Sequence, residues 1–146
     1  MTTSPPPPGA RPSDTALLEI ALLDGGTVRL RQELQDGAAH GRGLWTAALL
    51  LADFICEHPA AFSGKRTVLE IGSGVGLGGL AVGLARSVRP PPAALFLADF
   101  EAGTLANLAH NVALNEARTA ARCRCCRWTG TTPARRRRTS LGHRWT

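Results

Sequence analysis

The sequence predicts an α/β fold in which short apolar strands alternate with amphipathic helices. Two runs of strand character, residues 67–71 and 94–98, are each followed by a segment with helical spacing. A glycine-rich turn joins the first strand to its helix. This alternation favours parallel β-α-β units in a doubly wound sheet, and the length of 146 residues suits one domain.

Ahead of these units we expect a disordered leader, a β-hairpin and a helix. Residues 1–13 are polar and rich in proline, a composition typical of disordered segments. Residues 16–23 and 27–32 flank an Asp-Gly-Gly turn, and the second run alternates with period two, which predicts a hairpin. Residues 44–58 have helical spacing, with these side chains on the expected core face: Leu44, Ala47, Ala48, Leu51, Phe54 and Ile55.

The helices that follow the two strands differ in character. Residues 77–86 predict a helix of small residues, and residues 101–115 predict an amphipathic helix. The expected core positions are Leu77, Leu80, Ala81 and Leu84 in the first helix, and Leu105, Leu108, Ala109 and Val112 in the second. Asn107, Asn111 and Asn115 recur four residues apart, and we expect them to face solvent or to cap the helix end.

The basic charge of the chain is concentrated at its end. Residues 1–116 hold 8 basic and 11 acidic residues, whereas residues 117–146 hold 9 arginines and no acid. The terminal segment has no apolar periodicity, so we expect a folded domain at 14–116 and a disordered basic tail at 117–146. An abrupt change of this kind is also typical of a message translated in an unselected reading frame.

The composition disfavours several classes of partner. The arginine run at 135–138 has no interleaved aromatic residues, so nucleic-acid binding is not favoured. The cysteines within 123–126 and His143 lack the spacing of a zinc site, and we expect no metal. The longest apolar stretch, at 44–56, is too short to span a membrane, and the first residues do not resemble a secretory signal. We therefore expect a protein of the nucleus, the cytoplasm or both.

The strongest local signal is the segment VLEIGSGVGLG, in which a strand runs into alternating glycines and then into a helix. Without side chains, Gly72, Gly74 and Gly76 let the main chain turn sharply and approach a ligand. The N–H groups at the start of the next helix add partial positive charge. We therefore predict a cofactor cradle, to which Glu70 also belongs.

The spacing of this turn favours one kind of cofactor. A dinucleotide fingerprint has a sixth-position glycine where Leu77 stands, and a phosphate-binding loop has a Gly-Lys-Ser/Thr sequence that this turn lacks. Glu70 would repel a pyrophosphate but attract an ammonium group. S-adenosylmethionine has an amino group, a sulfonium and a ribose but no phosphate, so the charge pattern favours it.

A second carboxylate is expected near the same cleft. Asp99 follows the buried run at 94–98, and in nucleotide-binding folds an acid at this place accepts hydrogen bonds from ribose hydroxyls. A further role, compatible with the first, is the N-cap of the next helix.

Four segments resemble one family of enzymes: GLWTAALLLADFI at 43–55, FSG at 62–64, VLEIGSGVGLGGLA at 68–81, and ADF with L..L..NVALN at 98–115. They are similar to the protein-lysine methyltransferases of the methyltransferase-16 group, Rossmann-like seven-strand enzymes that use S-adenosylmethionine. Within that group the pattern most resembles the methyltransferase-like protein 22 branch. The resemblance covers residues 14–116 and implies a partial Rossmann-like, doubly wound fold.

The resemblance also implies roles for particular residues. Trp45, Gly72, Ser73, Gly74 and Asp99 fall at cofactor-contact positions, with Trp45 at the methionine end and Asp99 at the ribose. The alternative for Trp45 is an aromatic core residue at the start of a helix. The implied reaction is attack by a deprotonated lysine amine of a protein substrate on the sulfonium methyl group, and the implied state is a monomer.

The chain departs from the family pattern after its second parallel strand. Family members continue with further strands, the next of which ends in an Asp-Trp pair, whereas here Arg127 precedes Trp128 in a segment without a strand pattern. The acidic-aromatic motif of the acceptor channel has no counterpart. We therefore expect a truncated and impaired form, and we name no catalytic residue. Two alternatives stay open: a non-catalytic binding fragment with a basic tail, and a nicotinamide-binding oxidoreductase, which Leu77 disfavours.

Overall fold

A computed structural model describes residues 15–33 and 41–128. Within these residues, five strands and three helices form an antiparallel hairpin and a three-stranded parallel sheet with its helices. In chain order they are β1 (Thr15–Ala21), β2 (Thr27–Glu33), α1 (Thr46–Glu57), β3 (Thr67–Ile71), α2 (Leu77–Leu84), β4 (Ala94–Asp99), α3 (Ala102–Asn115) and β5 (Arg122–Arg127). Short 3-10 turns at Pro59–Ala61 and Glu116–Arg118 follow α1 and α3.

The predicted hairpin is confirmed. β1 and β2 pair antiparallel along their whole length, from Thr15 opposite Glu33 to Ala21 opposite Thr27. The Asp24 carboxylate accepts a hydrogen bond from the Gly26 N–H (2.9 Å) and so closes the turn. The predicted leader at 1–13 lies outside the described residues.

The parallel sheet extends beyond the predicted end of the domain. Its strands lie in the order β3-β4-β5, and both neighbouring pairs are parallel. The prediction of disorder from residue 117 onward is therefore wrong for residues 117–128, while 129–146 lie outside the described part. Cys123 and Cys125 pack against the core between exposed arginines. This period-two alternation was not predicted to form a strand, because cysteine stands at the buried positions where strands usually carry aliphatic residues.

The helices of the described part cover one face of this sheet. α2 packs on β3 and β4, α3 packs on β4 and β5, and α1 packs against α2. Leu95 and Leu97 meet these helices in the core and are at most 1% exposed. Leu69 and Ile71 point the other way and are 50% and 55% exposed. The predicted α/β class with a parallel sheet is confirmed.

The predicted core face of α1 is confirmed for Ile55, which is buried, and for Leu44 and Ala48, which pack against the core, but it is wrong for the other three residues. Ala52 and Ile55 are its buried residues, whereas Leu51 and Phe54 are 38% and 46% exposed and Ala47 is also exposed. Apolar residues surround most of this helix, so their spacing alone did not select the buried side. In α2, by contrast, the predicted core positions are buried or nearly so.

The asparagines of α3 contradict their predicted exposure. Asn107, Asn111 and Asn115 are fully buried, alongside the predicted core residue Leu108. Their side-chain amides form hydrogen bonds to β2, and those of Asn111 and Asn115 pair with backbone N–H and carbonyl groups as the backbone of a neighbouring strand would. Asn111 accepts from the Arg31 N–H (2.7 Å) and donates to the Arg31 carbonyl (3.0 Å). We call these three residues the asparagine clamp. They fasten the hairpin to α3 without burying unpaired polar groups.

Candidate functional site

A cleft of about 690 Å³ opens at the carboxyl ends of β3 and β4. In open parallel sheets, ligands bind outside this end of the strands. The described residues that line it are Gly41, Gly43, Trp45, Ala47, Ala48, Leu51, Glu70, Ile71, Gly72, Ser73, Gly74, Val75, Asp99, Phe100, Glu101 and Thr104. Six of the seven predicted site residues are among them, and Gly76 is not.

The glycine turn after β3 forms the floor of the cleft. Gly72 and Gly74 have φ angles of 71° and 52°, a region that residues with a side chain rarely adopt. A Cβ added at Gly72 would meet no atom within 4 Å, so the main chain there faces open space. The Ser73 N–H donates to the Ala98 carbonyl (3.0 Å), which ties the turn to β4.

Gly76 lies beneath the turn, and its role is packing. Its φ is 89°, and a Cβ there would approach the Leu108 side chain to 2.6 Å and that of Leu97 to 3.2 Å. The third glycine therefore lets the start of α2 pack closely on β4 and α3. A bulkier residue would disturb the cleft indirectly.

Asp99 is buried beside the glycine turn. One carboxylate oxygen accepts from the Gly74 N–H (3.0 Å), and the other accepts from the Phe100 N–H (2.8 Å). A carboxylate oxygen has more than one lone pair, so each oxygen keeps acceptor capacity toward the cleft. The other role predicted for Asp99, capping the next helix, is wrong: Glu101 caps α3, accepting from Gly103 (2.8 Å) and Thr104 (2.6 Å).

Glu70 lines the cleft, and its side chain is directed to the start of α2. Its carboxylate accepts a hydrogen bond from the Gly79 N–H (2.9 Å). Burial raises the pKa of Glu70 above its usual value, although the hydrogen bonds from Gly79 and Ser73 act in the opposite direction. A carboxylate at a helix N-terminus occupies the place where nucleotide-binding folds receive a phosphate. This end of α2 is therefore unsuited to a pyrophosphate.

Glu101 is a cleft residue that the sequence analysis missed. Hydrogen bonds from the Gly103 N–H and from the Thr104 hydroxyl and N–H, with the nearby Arg42 guanidinium, lower the pKa of Glu101 to about 2. The side chain is exposed and carries its charge to the rim of the cleft. Its position directly before α3 was the available signal, but glutamate is not a preferred N-cap residue.

The upper rim of the cleft is aromatic and apolar. Trp45 is 57% exposed directly before α1, so its alternative as a core residue is wrong. Phe100, which the sequence analysis also missed, is 73% exposed beside Asp99. Ile71 adds aliphatic surface from the end of β3. These side chains suit the apolar surfaces of an organic ligand.

Trp128 directly follows β5, so the segment before it does have a strand pattern. Its N–H donates to the Asp99 carbonyl (2.8 Å) and continues the pairing of β4 with β5. Trp128 does not line the cleft in the described part of the chain.

Residues 15–33 and 41–128 contain neither a metal-binding cluster nor a membrane-spanning helix. No group of three or more His, Cys, Asp or Glu side chains could bind a metal ion there. None of the helices there combines the length and the apolar character needed to cross a bilayer.

A parallel sheet, a glycine turn and a cleft at the carboxyl ends of the strands define a partial Rossmann-like α/β domain. The chain belongs to the lysine methyltransferase family, whose model matches residues 22–139. This match continues past the predicted boundary at residue 116 and includes β5.

Individual proteins that are similar to this chain in sequence are also named methyltransferases. The protein-lysine N-methyltransferase EEF2KMT of Mus musculus is 48% identical over 97 residues, which is 64% of this chain and 28% of the relative. Its Homo sapiens counterpart is 42% identical over 96 residues, with the same coverage. The putative protein N-methyltransferase FAM86B1 of Homo sapiens is 43% identical over 96 residues, again 64% of this chain and 28% of the relative.

The chain thus spans under a third of the length of these relatives. The finer placement near the methyltransferase-like protein 22 branch is not confirmed by these relatives. The predicted family, the methyltransferase-16 group, is confirmed.

Proposed function

We propose that this chain binds S-adenosylmethionine in the cleft and forms the cofactor-binding part of a protein-lysine N-methyltransferase. Membership of the lysine methyltransferase family supports the reaction class. The EEF2KMT relatives, which are named protein-lysine N-methyltransferases, support a lysine side chain of a protein as the methyl acceptor.

The observation that carries the cofactor is the charge of the cleft. The described residues that line it include three carboxylates, Glu70, Asp99 and Glu101, and no lysine or arginine. S-adenosylmethionine carries a sulfonium and an ammonium group, and the carboxylates attract both. A nicotinamide dinucleotide carries a pyrophosphate, which the same groups repel. The oxidoreductase alternative is therefore disfavoured by the cleft as well as by Leu77.

The proposed role of each site residue follows from its position in the cleft. The main chain at 72–74 lies against the cofactor, because Gly72 leaves open space at its Cα. Asp99, beside Gly74, accepts hydrogen bonds from the ribose. Trp45 covers the methionine end at the rim. Glu70 contributes negative charge at the start of α2.

When bound, S-adenosylmethionine supplies an electrophilic methyl group. The part of this chain is to orient the cofactor and to exclude water with the apolar side chains at the rim of the cleft. The lysine nucleophile belongs to the protein substrate, and we assign no catalytic residue.

We further propose that the chain binds cofactor but transfers methyl groups poorly on its own. Its coverage of 28% of each relative supports this, since the remaining length of those proteins is available for the acceptor channel. We propose that it acts as a monomer in the nucleus, the cytoplasm or both. Sedimentation and imaging of a tagged chain test these last two points.

Isothermal titration tests the cofactor. We expect saturable heat with S-adenosylmethionine and none with NAD. The variant Asp99→Asn should lose at least tenfold in affinity, because one ribose acceptor becomes an amide donor. The matched control Glu57→Gln changes an exposed carboxylate at the end of α1, outside the cleft lining, and should titrate like the wild type.

The results separate the alternatives. Heat with NAD alone would favour the oxidoreductase, and heat with neither ligand would leave the non-catalytic binding fragment. Heat with S-adenosylmethionine combined with transfer to a protein lysine at the rate of the mouse relative would contradict the proposed impairment.

A further inference from the structure

On the face of the parallel sheet opposite the helices, the side chains lie in rows that run across the three strands. Parallel registration puts Leu69, Phe96 and Arg124 in one row across the three strands. A second row consists of Ile71, Ala98 and Cys126, and a third row consists of Thr67, Ala94 and Arg122. We call these nine residues the outer face.

The outer face changes from apolar to basic across its width. On the β3 side, Leu69 and Ile71 are half exposed, and Phe96 lies beside them on β4. On the β5 side, Arg122 and Arg124 are exposed. In the part of the chain that the structure describes, neither arginine has a carboxylate within 4.0 Å.

Parallel sheets are normally covered on both faces, because water does not stabilise a row of aliphatic side chains on buried-type strands. The described helices pack on the opposite face, and on the outer face Leu69 and Ile71 stay half exposed, although Ala98 between the outer strands is buried. The charges of the outer face indicate what kind of segment could cover it.

Segment 129–146 does not suit the outer face. It contains five arginines and no acidic residue, so it would place further positive charge over Arg122 and Arg124.

A second copy of the chain does not suit it either. Packing two outer faces about a twofold axis sets the basic strand either against itself or against Leu69 and Ile71 of the other copy. Both arrangements bury guanidinium groups without a carboxylate, which is costly.

We propose that the outer face docks an amphipathic helix from outside residues 1–146, apolar on one side and acidic on one flank. The apolar stripe covers Leu69, Ile71 and Phe96, and the acidic flank pairs with Arg122 and Arg124. Ile71 also lines the rim of the cleft, whereas Leu69, Phe96, Arg122 and Arg124 do not, so the test of the outer face is made on residues outside the proposed cofactor site.

The dimensions of the outer face suit one helix. Strands are about 4.8 Å apart, so β3 and β5 are separated by about 10 Å, close to the diameter of a helix with its side chains. Arg122 and Arg124 are two residues apart on one strand, a distance of about 6.6 Å. Glutamates four residues apart on a helix are separated by about 6 Å along its axis, so two of them reach both arginines.

Fluorescence anisotropy with two designed peptides tests the proposal on the full chain. Each is a labelled amphipathic helix of about 18 residues, long enough to retain some helicity alone. The acidic probe has glutamate at positions i and i+4 beside a leucine stripe, and the basic probe has lysine at the same positions. We expect the acidic probe to bind at least tenfold more tightly and to weaken as salt is added.

Two variants locate the site. The charge-reversal variant Arg122→Glu/Arg124→Glu changes only exposed side chains and should reverse the preference between the probes. The variant Leu69→Ser, which changes a half-exposed side chain outside the cleft lining, should weaken the binding of both probes. Equal binding of the two probes, an unchanged preference after charge reversal, or no binding would overturn the proposal. A dimer of the wild type that dissociates in Leu69→Ser would also overturn it, in favour of a second copy.

Discussion

The asparagine clamp is buried, and two carboxylates of the cleft, Asp99 and Glu70, are buried or half-buried, but these polar groups differ in what satisfies their hydrogen bonds. Each clamp amide both accepts and donates hydrogen bonds within the fold: Asn115, for example, accepts from the Arg29 N–H (3.0 Å) and donates to the Arg29 carbonyl (2.7 Å). The cleft carboxylates bind backbone N–H groups and still border open space. Buried polar groups with closed hydrogen bonding specify structure, whereas those with spare capacity beside a cleft suit ligand binding.

The variant Asn111→Ala should produce the largest loss of stability. It removes the partners of the Arg31 N–H and of the Val75 carbonyl, whereas the Arg31 carbonyl keeps a hydrogen bond from the Asn107 amide. Two polar groups become unsatisfied, at an expected cost of about 3 kcal/mol in the free energy of unfolding. Urea denaturation measures this, with His110→Ala, an exposed neighbour on α3, as the control. A loss no larger than that of His110→Ala would contradict the clamp.

The variant Asp99→Asn should destabilise less and should mainly impair the cofactor site. Its amide group must face either the Gly74 or the Phe100 N–H, which sets two donors against each other. We expect about 1–2 kcal/mol of lost stability, together with the loss of affinity described above. Unchanged affinity with this loss of stability would make Asp99 a structural residue only.

The variant Gly72→Ala should have a smaller, purely conformational effect. A Cβ there meets no atom within 4 Å, so only the φ of 71° opposes the alanine. The expected cost is about 1–2 kcal/mol. Gly43→Ala is the matched control, because Gly43 also lines the cleft, also has open space at its Cα, and is not among the glycines of positive φ. Thermal denaturation should leave that control unchanged, and equal effects of the two variants would rule out the backbone argument.

The smallest expected effects are on the pH dependence of stability. Glu70 and Glu101 should change it in opposite directions. Burial raises the pKa of Glu70, so the stability linked to its protonated form is present below the unfolded value of 4.5 and is lost as pH rises through the folded value. The pKa of Glu101 is lowered to about 2, so its contribution is present above 4.5 and is lost as pH falls toward 2.

Denaturation from pH 2 to 8 measures both contributions. Glu70→Gln should lessen the decline of stability above pH 4.5, and Glu101→Gln should lessen the decline below it. Identical pH profiles for the wild type and Glu70→Gln would contradict the buried position of that carboxylate.

Much of the local structure was predictable because it follows from short-range chemistry. The Asp-Gly-Gly turn predicted the hairpin, and the strand bounds at 67–71 and 94–98 agree with the structure to within one residue. The alternating glycines predicted the turn, since all three have positive φ angles, and Gly72 and Gly74 of this turn line the cleft. The buried side of α1 was predicted only in part, for Leu44, Ala48 and Ile55, because most of the helix surface is apolar and packing against α2 selects one side.

By itself, the sequence determined the order of strands and helices, the glycine turn and the presence of Glu70 and Asp99 at the ends of two strands. These are local properties of periodicity, backbone freedom and spacing. Only the tertiary structure decided that Asn107, Asn111 and Asn115 are buried, that a cysteine-and-arginine segment forms β5, and that Glu101 joins the cleft. Each of these depends on partners distant in the chain, because a polar or atypical residue becomes favourable only where another segment satisfies its hydrogen bonds or covers its surface.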